Sequence, residues 1–194
     1  MFSIVVLISG AGSNLRALLE ATSNPLFPAQ VVGVGSDKPA PGLEHAEEFR
    51  IPTFVVEPAG FSSSEAWAEV LLSNVESLKP DLVVLAGFMK VLPANFVNAL
   101  SPKIINLHPS LLPDFKGAHA VRDALAAGAS KTGATIHIVD EGIDTGRILL
   151  QAEVARKMAQ GAAPDMRTEL ALMASGFRLL DRCNTLMAHM RVGD

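Results

Sequence analysis

Near the middle of the chain the sequence reads IINLHPSLLPD, residues 104–114. One residue separates Asn106 from His108, and Pro109 follows at once. In an extended chain alternate side chains project to the same face, so the amide and the imidazole would sit side by side. Asparagine supplies a neutral N–H donor. Histidine supplies a charged donor, or accepts a proton, near neutral pH. Two donors converging on one point would stabilise an oxygen that becomes negative during a reaction. The same string also reads as a strand end whose Asn and His satisfy nearby backbone.

Two other clusters have chemical potential. SGAGSNL, residues 9–15, combines glycines with the start of a helical segment. Glycines let the backbone turn tightly and approach a ligand, and free N–H groups at a helix start favour an anion. A dinucleotide fingerprint would want a third glycine where Leu15 stands, although Asp37 could mimic its ribose-binding acid, and the lysine of a P-loop is missing. The alternative is an ordinary glycine turn in which Ser13 or Asn14 caps the helix. DEGIDTG, residues 140–146, holds Asp140, Glu141 and Asp144 within five residues. A carboxylate near His108 would favour the imidazolium form. The spacing does not fit an EF-hand loop, and a solvated turn is the alternative.

Other histidines are weaker candidates. His119 falls at a probable helix start, as an outer-shell residue or a cap. His137 lies mid-strand, where a satisfied core histidine is expected. His45 and His189 read as surface positions, and Trp67 and the methionines as packing.

The elements that must position these clusters alternate. Residues 3–8, 30–35, 53–56, 82–86 and 103–107 are β-rich and mostly apolar throughout, as in strands covered on both faces. Residues 13–22, 42–50, 62–78 and 93–99 have helical period. Ser62 is the expected N-cap of the third helix with Glu65 as its capping-box partner. Pro80 is expected to stop that helix, and Pro93 suits a first helical position. This order predicts an α/β, Rossmann-like, mostly parallel central sheet with helices on both faces. Segment 118–127 is then helical, 133–139 and 147–154 form a C-terminal antiparallel strand pair, and 165–190 is a terminal helix. In open α/β sheets ligands bind beyond the carboxyl ends of the strands, where the three clusters are expected to lie.

Bulk properties narrow the class. Of 194 residues, 49% are apolar and 19% charged, so the chain is globular rather than disordered. The net charge of −4 argues against general nucleic-acid or membrane-surface binding. Residues 1–154 carry 10 basic and 16 acidic side chains, and residues 155–194 carry 6 and 4. With Cys183 alone there is no internal disulfide and no cysteine-type zinc site. The apolar start is too short for a signal peptide and lacks its basic region, so a cytoplasmic protein is expected. No repeat or clear linker divides residues 1–194, which read as a single domain.

Four stretches together, IVVLISGAGSNL, PDLVVLAGFMKVL, INLHPSLLPDFKGAHA and DEGIDTGRILLQ, resemble the phosphoribosylglycinamide formyltransferases of purine synthesis. The resemblance runs from about residue 3 to 154. It implies transfer of a formyl group from 10-formyltetrahydrofolate, as co-substrate and with no metal, to glycinamide ribonucleotide. Enzymes that formylate methionyl-tRNA or hydrolyse the folate share the Asn106–Pro113 string. A formyltetrahydrofolate hydrolase, or a low-activity folate- or nucleotide-binding relative, is therefore the alternative. Hydrolases usually carry a further N-terminal regulatory domain for which 194 residues leave no room.

The resemblance implies roles by position. Asn106, His108 and Asp144 would be catalytic, with Asn106 and His108 stabilising a tetrahedral intermediate. Gly12, Ser13 and Asn14 would hold the substrate phosphate, and Pro109 would border the reacting carbon. Met89, Lys90, Val91 and Leu92 would line the folate pocket. Asn106 and the loop of Asp140, Glu141, Gly142, Ile143 and Asp144 would close its other side. Residues from 1 to about 100 would form a nucleotide-binding half, and those from about 101 to 194 a catalytic and folate-binding half. A monomer or homodimer is expected. The chain departs from the pattern at Ser64, where Arg is frequent, at Arg147, where Pro is common, and after Val154. There Glu169 is the nearest counterpart of the usual ribose-binding glutamate.

Overall fold

The computed structural model describes residues 1–155. Their strands form one sheet of order β3-β2-β1-β4-β5-β6-β7. The first five are β1 (Phe2–Ile8), β2 (Ala29–Ser36), β3 (Thr53–Val55), β4 (Leu82–Leu85) and β5 (Ile104–His108), and their pairings are parallel. β6 (Lys131–Ile138) runs antiparallel to β5, and β7 (Ile148–Ala155) antiparallel to β6. The expected hairpin is therefore present. The antiparallel join of β5 to β6 is a further reversal that the strand pattern did not specify.

The sheet is covered on two faces, as its apolar runs require. Ile4, Val6 and Ile8 of β1 pack with Leu15, Leu18 and Leu19 of α1 (Ser13–Thr22) and Ala46 of α2 (Leu43–Glu48). The alternate residues Val5 and Leu7 pack with Trp67, Leu71 and Val75 of α3 (Ser64–Ser77) and with Phe96 and Val97 of α4 (Ala94–Leu100). From Ile4 to Ile8 each β1 side chain thus enters one core or the other by parity alone. A shorter helix, α5 (Ala120–Ala126), precedes β6.

Helix ends lie within two residues of the sequence reading, and α1 matches it at both ends. Ser63, not Ser62, caps α3: its backbone is extended and its Oγ accepts from Ala66 N–H at 3.1 Å. Pro93 is the cap of α4 rather than its first residue. α3 ends before Pro80, through Leu78 and a positive φ of 48° at Lys79. The expected terminal helix over 165–190 lies outside the described residues. Among those described, no helix is long and apolar enough to cross a membrane.

The strand order reverses between β1 and β4. That switch leaves a crevice at the carboxyl ends of the parallel strands. The glycine loop leaves β1 there, residues 86–92 leave β4, and β5 ends there at His108.

Candidate active site

The register of β5 puts Asn106 and His108 on one face of the sheet, with Asn106 opposite His137 and His108 opposite Thr135. Because β6 is antiparallel, the chain beyond its carboxyl end lies near Ile105 and must turn back to reach this face. It does so through the 139–147 loop, in which Asp144 has a positive φ of 51°. The Asp144 carboxylate then meets four groups. Oδ1 accepts from the Asn106 amide at 3.3 Å and lies 3.3 Å from His137 Nε2. Oδ2 accepts from Gly117 N–H at 2.7 Å and lies 3.4 Å from His108 Nδ1.

The electrostatics follow from these contacts. Burial alone would raise the Asp144 pKa. The hydrogen bond from His137, the Gly117 N–H and the charges of His108 and His137 outweigh it and bring the pKa down to about 2. Asp144 is therefore a carboxylate at neutral pH. His108, buried at 4% exposure, places Nε2 2.9 Å from Phe115 O. Its two ring nitrogens thus face a carbonyl and a carboxylate, oxygens that can only accept. His137 places Nδ1 2.8 Å from Ile138 O, which leaves Nε2 facing Asn106 and Asp144. It is the satisfied histidine that the strand pattern predicts, but it is also part of the site.

These side chains form one wall of a pocket of about 410 Å³, a volume suited to a small organic ligand. Leu85, Phe88 and Val139 make apolar wall, and Trp67 stacks behind Phe88 with ring centroids 6.4 Å apart. Met89, Lys90, Val91 and Leu92 all line it. The Met89 N–H already donates to Ser9 Oγ at 2.8 Å, so it is not a free main-chain donor for a ligand. Asp140, Glu141, Gly142 and Ile143 also line the pocket. Two of the three acids are engaged elsewhere. Asp140 accepts from Thr145 Oγ1 at 2.7 Å, and Glu141 from Asn98 Nδ2 at 2.8 Å. Pro109 borders the pocket, and so does His119, the N-cap residue of α5.

The glycine loop reaches the pocket at Asn14. Gly12 is the N-cap of α1, at φ 69°, and no side chain caps that helix. The alternative in which Ser13 or Asn14 caps it does not hold. Glycine is required at position 12 twice over: by its φ, and because a Cβ there would fall 2.8 Å from Gly42 Cα. Asn14 Oδ1 is buried without a partner. His45 is half-buried rather than a surface residue: its ring edge packs against Gly12, and Nδ1 lies 3.5 Å from Arg16 Nη1. Ser64 is exposed at the first position of α3. Glu169 and His189 lie outside the described residues.

Sequence reasoning missed two main-chain groups, Phe115 O and Gly117 N–H, and the part taken by His137. The alternation of Thr135 and His137 was visible, but their register against β5 was not.

A family model described as formyl transferase matches residues 2–164. The chain is 46% identical over 151 residues to the phosphoribosylglycinamide formyltransferase of Mycobacterium tuberculosis, covering 78% of this chain and 70% of that protein. It is 46% identical over 154 residues to the trifunctional purine biosynthetic protein adenosine-3 of Drosophila melanogaster, covering 78% of this chain but spanning only 11% of that longer protein. The crystal structure of glycinamide ribonucleotide transformylase 1 from Symbiobacterium toebii superposes with a TM-score of 0.90 at 35% identity, over 97% of this chain and 88% of that one.

Proposed function

Because the chain belongs to the formyl transferase family, we propose that it transfers the formyl group of 10-formyltetrahydrofolate to the amine of glycinamide ribonucleotide, a step of de novo purine synthesis. The observation that carries this reading is the meeting of Asn106, His108 and Asp144, at 3.3 and 3.4 Å, on the wall of a pocket that also takes in Asn14.

In this reaction the amine attacks the formyl carbon, the oxygen gains negative charge, and the bond to folate N10 then breaks. The proton lost by the amine ends on N10. The residues at the site match those demands. The Asn106 amide and the His108 imidazolium supply a neutral donor and a positive charge for the oxygen. Their contacts with Asp144 and His137 are long, at 3.3–3.4 Å. An incoming oxygen exchanges for one of them at small cost. Asp144 keeps His108 charged and orders the proton's path between the two nitrogens.

The rest of the pocket suits the two substrates. Gly12, Ser13 and Asn14 hold the phosphate at the uncapped start of α1, and Pro109 borders the reacting carbon. The apolar wall at Leu85, Phe88 and Val139 fits a flat ring, with main chain from 89–92 and 140–144 at its polar edges. Residues 1 to about 100 form the nucleotide-binding half, which also lends 85–92 to the folate pocket, and those from about 101 form the catalytic and folate-binding half. A cytoplasmic location and a monomeric or homodimeric state go with this reading.

A steady-state assay with both substrates tests it. Formylated nucleotide and tetrahydrofolate should appear together. Formate release without nucleotide would indicate the hydrolase, and binding of both ligands without turnover a binding protein.

A further inference from the structure

His108, Thr135 and Gln151 stand in one row across β5, β6 and β7, each opposite the next in register. The buried Thr135 hydroxyl is saturated. It donates to Ser110 O at 2.7 Å and accepts from Leu112 N–H at 3.1 Å and Gln151 Nε2 at 2.9 Å. Gln151 Nε2 also donates to Leu112 O at 2.8 Å. Three backbone groups just beyond His108 are thus tied to two side chains of the hairpin. Gly133 adds a fourth contact, since a Cβ there would fall 2.5 Å from Leu111 Cδ2.

From this anchor the loop turns tightly. Ser110 Oγ donates to Asp114 O at 2.6 Å, and Asp114 N–H to Leu111 O at 3.1 Å. The turn delivers Phe115 O to His108 Nε2 and Gly117 N–H to Asp144 Oδ2. Those two groups hold the imidazolium and its carboxylate partner. Neither Thr135 nor Gln151 contacts His108 or Asp144 through a hydrogen bond of its own.

We propose that Thr135 and Gln151 are positioning residues for the reaction: a clamp on the β6–β7 hairpin that fixes the 110–117 loop so that Phe115 O and Gly117 N–H keep His108 charged and Asp144 in place. The proposal rests on the formyl-transfer reading for its catalytic consequence, but its structural half can be read without turnover.

The test uses the full chain with Thr135→Val, which keeps shape and removes the hydroxyl, Thr135→Ser, which restores it, and Gln151→Met. In Thr135→Val kcat should fall about tenfold with KM for the nucleotide within about twofold. Because the charged ring loses an acceptor, the high-pH limb of the kcat profile should move about one pH unit lower. Thr135→Ser should recover both. In the ligand-free protein, amide exchange at Gly117 should accelerate at least about tenfold in Thr135→Val. A folded Thr135→Val with an unmoved pH limb and unchanged Gly117 exchange overturns the clamp. Should that variant fail to fold, Gln151→Met at an exposed position is judged by the same two readouts. If the wild-type protein transfers no formyl group the functional reading fails, while Gly117 exchange still decides the clamp.

Discussion

His108 and Asp144 face each other at 3.4 Å, although one ends strand β5, the other sits in the loop between β6 and β7, and they are held by different partners. Phe115 O takes the far side of the imidazole, and Gly117 N–H takes the near oxygen of the carboxylate. The geometry of the pair is set by a loop between them, and its removal should be felt more in rate than in stability.

His108→Ala should lower turnover by at least about 10² while leaving the fold intact, the usual effect of deleting a group that stabilises transition-state charge. Asn106→Ala should fall in the same range. Steady-state kinetics with circular dichroism as a folding control checks both. Near-normal turnover in His108→Ala would remove the mechanism.

Asp144→Asn separates charge from shape. The folded carboxylate has a pKa of about 2, below its ordinary value. A depressed carboxylate stabilises the fold above its unfolded pKa of about 4, and that contribution is lost as pH falls towards 2. The shift corresponds to roughly 2 kcal/mol. Urea unfolding between pH 7 and pH 2 should show the advantage of wild type over Asp144→Asn shrinking by about that amount across the acid window. A difference that does not vary with pH would contradict the ion-pair account.

Gly12→Ala should damage the glycine loop locally. It would add strain at φ 69° and a contact with Gly42 Cα, together costing about 1–3 kcal/mol. KM for the nucleotide should rise more than KM for the folate, because the strained turn begins the helix whose N–H groups are assigned to phosphate. Equal rises in both would point to a general loss of fold instead.

Trp67→Ala probes the support behind the pocket. The indole is 2% exposed, donates to Val56 O at 2.8 Å and stacks on Phe88. Its loss should cost about 3–5 kcal/mol and raise the folate KM, since Phe88 would lose its backing. Thermal unfolding and initial rates measure the two effects.

Much of the fold was legible because apolar runs and helical periods are local signals. The run SIVVLI had to be a strand covered on both faces, and β1 divides its side chains between two cores as that pattern demands. Helix ends were legible only to within about two residues, as the choice of Ser63 over Ser62 illustrates, because adjacent serines compete for one capping geometry.

The sequence by itself determined that Asn106 and His108 share a face, since their spacing is the period of a strand, whereas the need for glycine at position 12 came from its φ and the approach of Gly42 in the fold. The clustering of three acids also made the DEGIDTG loop a site candidate, and the resemblance singled out Asp144. Only the tertiary structure decided which acid of the DEGIDTG loop enters the site, because Asp140 and Glu141 are drawn away by Thr145 and Asn98. It also decided that His137 faces Asn106, that a carbonyl at Phe115 completes His108, and that Thr135 and Gln151 tie down the loop between. Those are contacts across strand register and between segments far apart in the chain, and register is a property of paired strands that no single stretch of sequence contains.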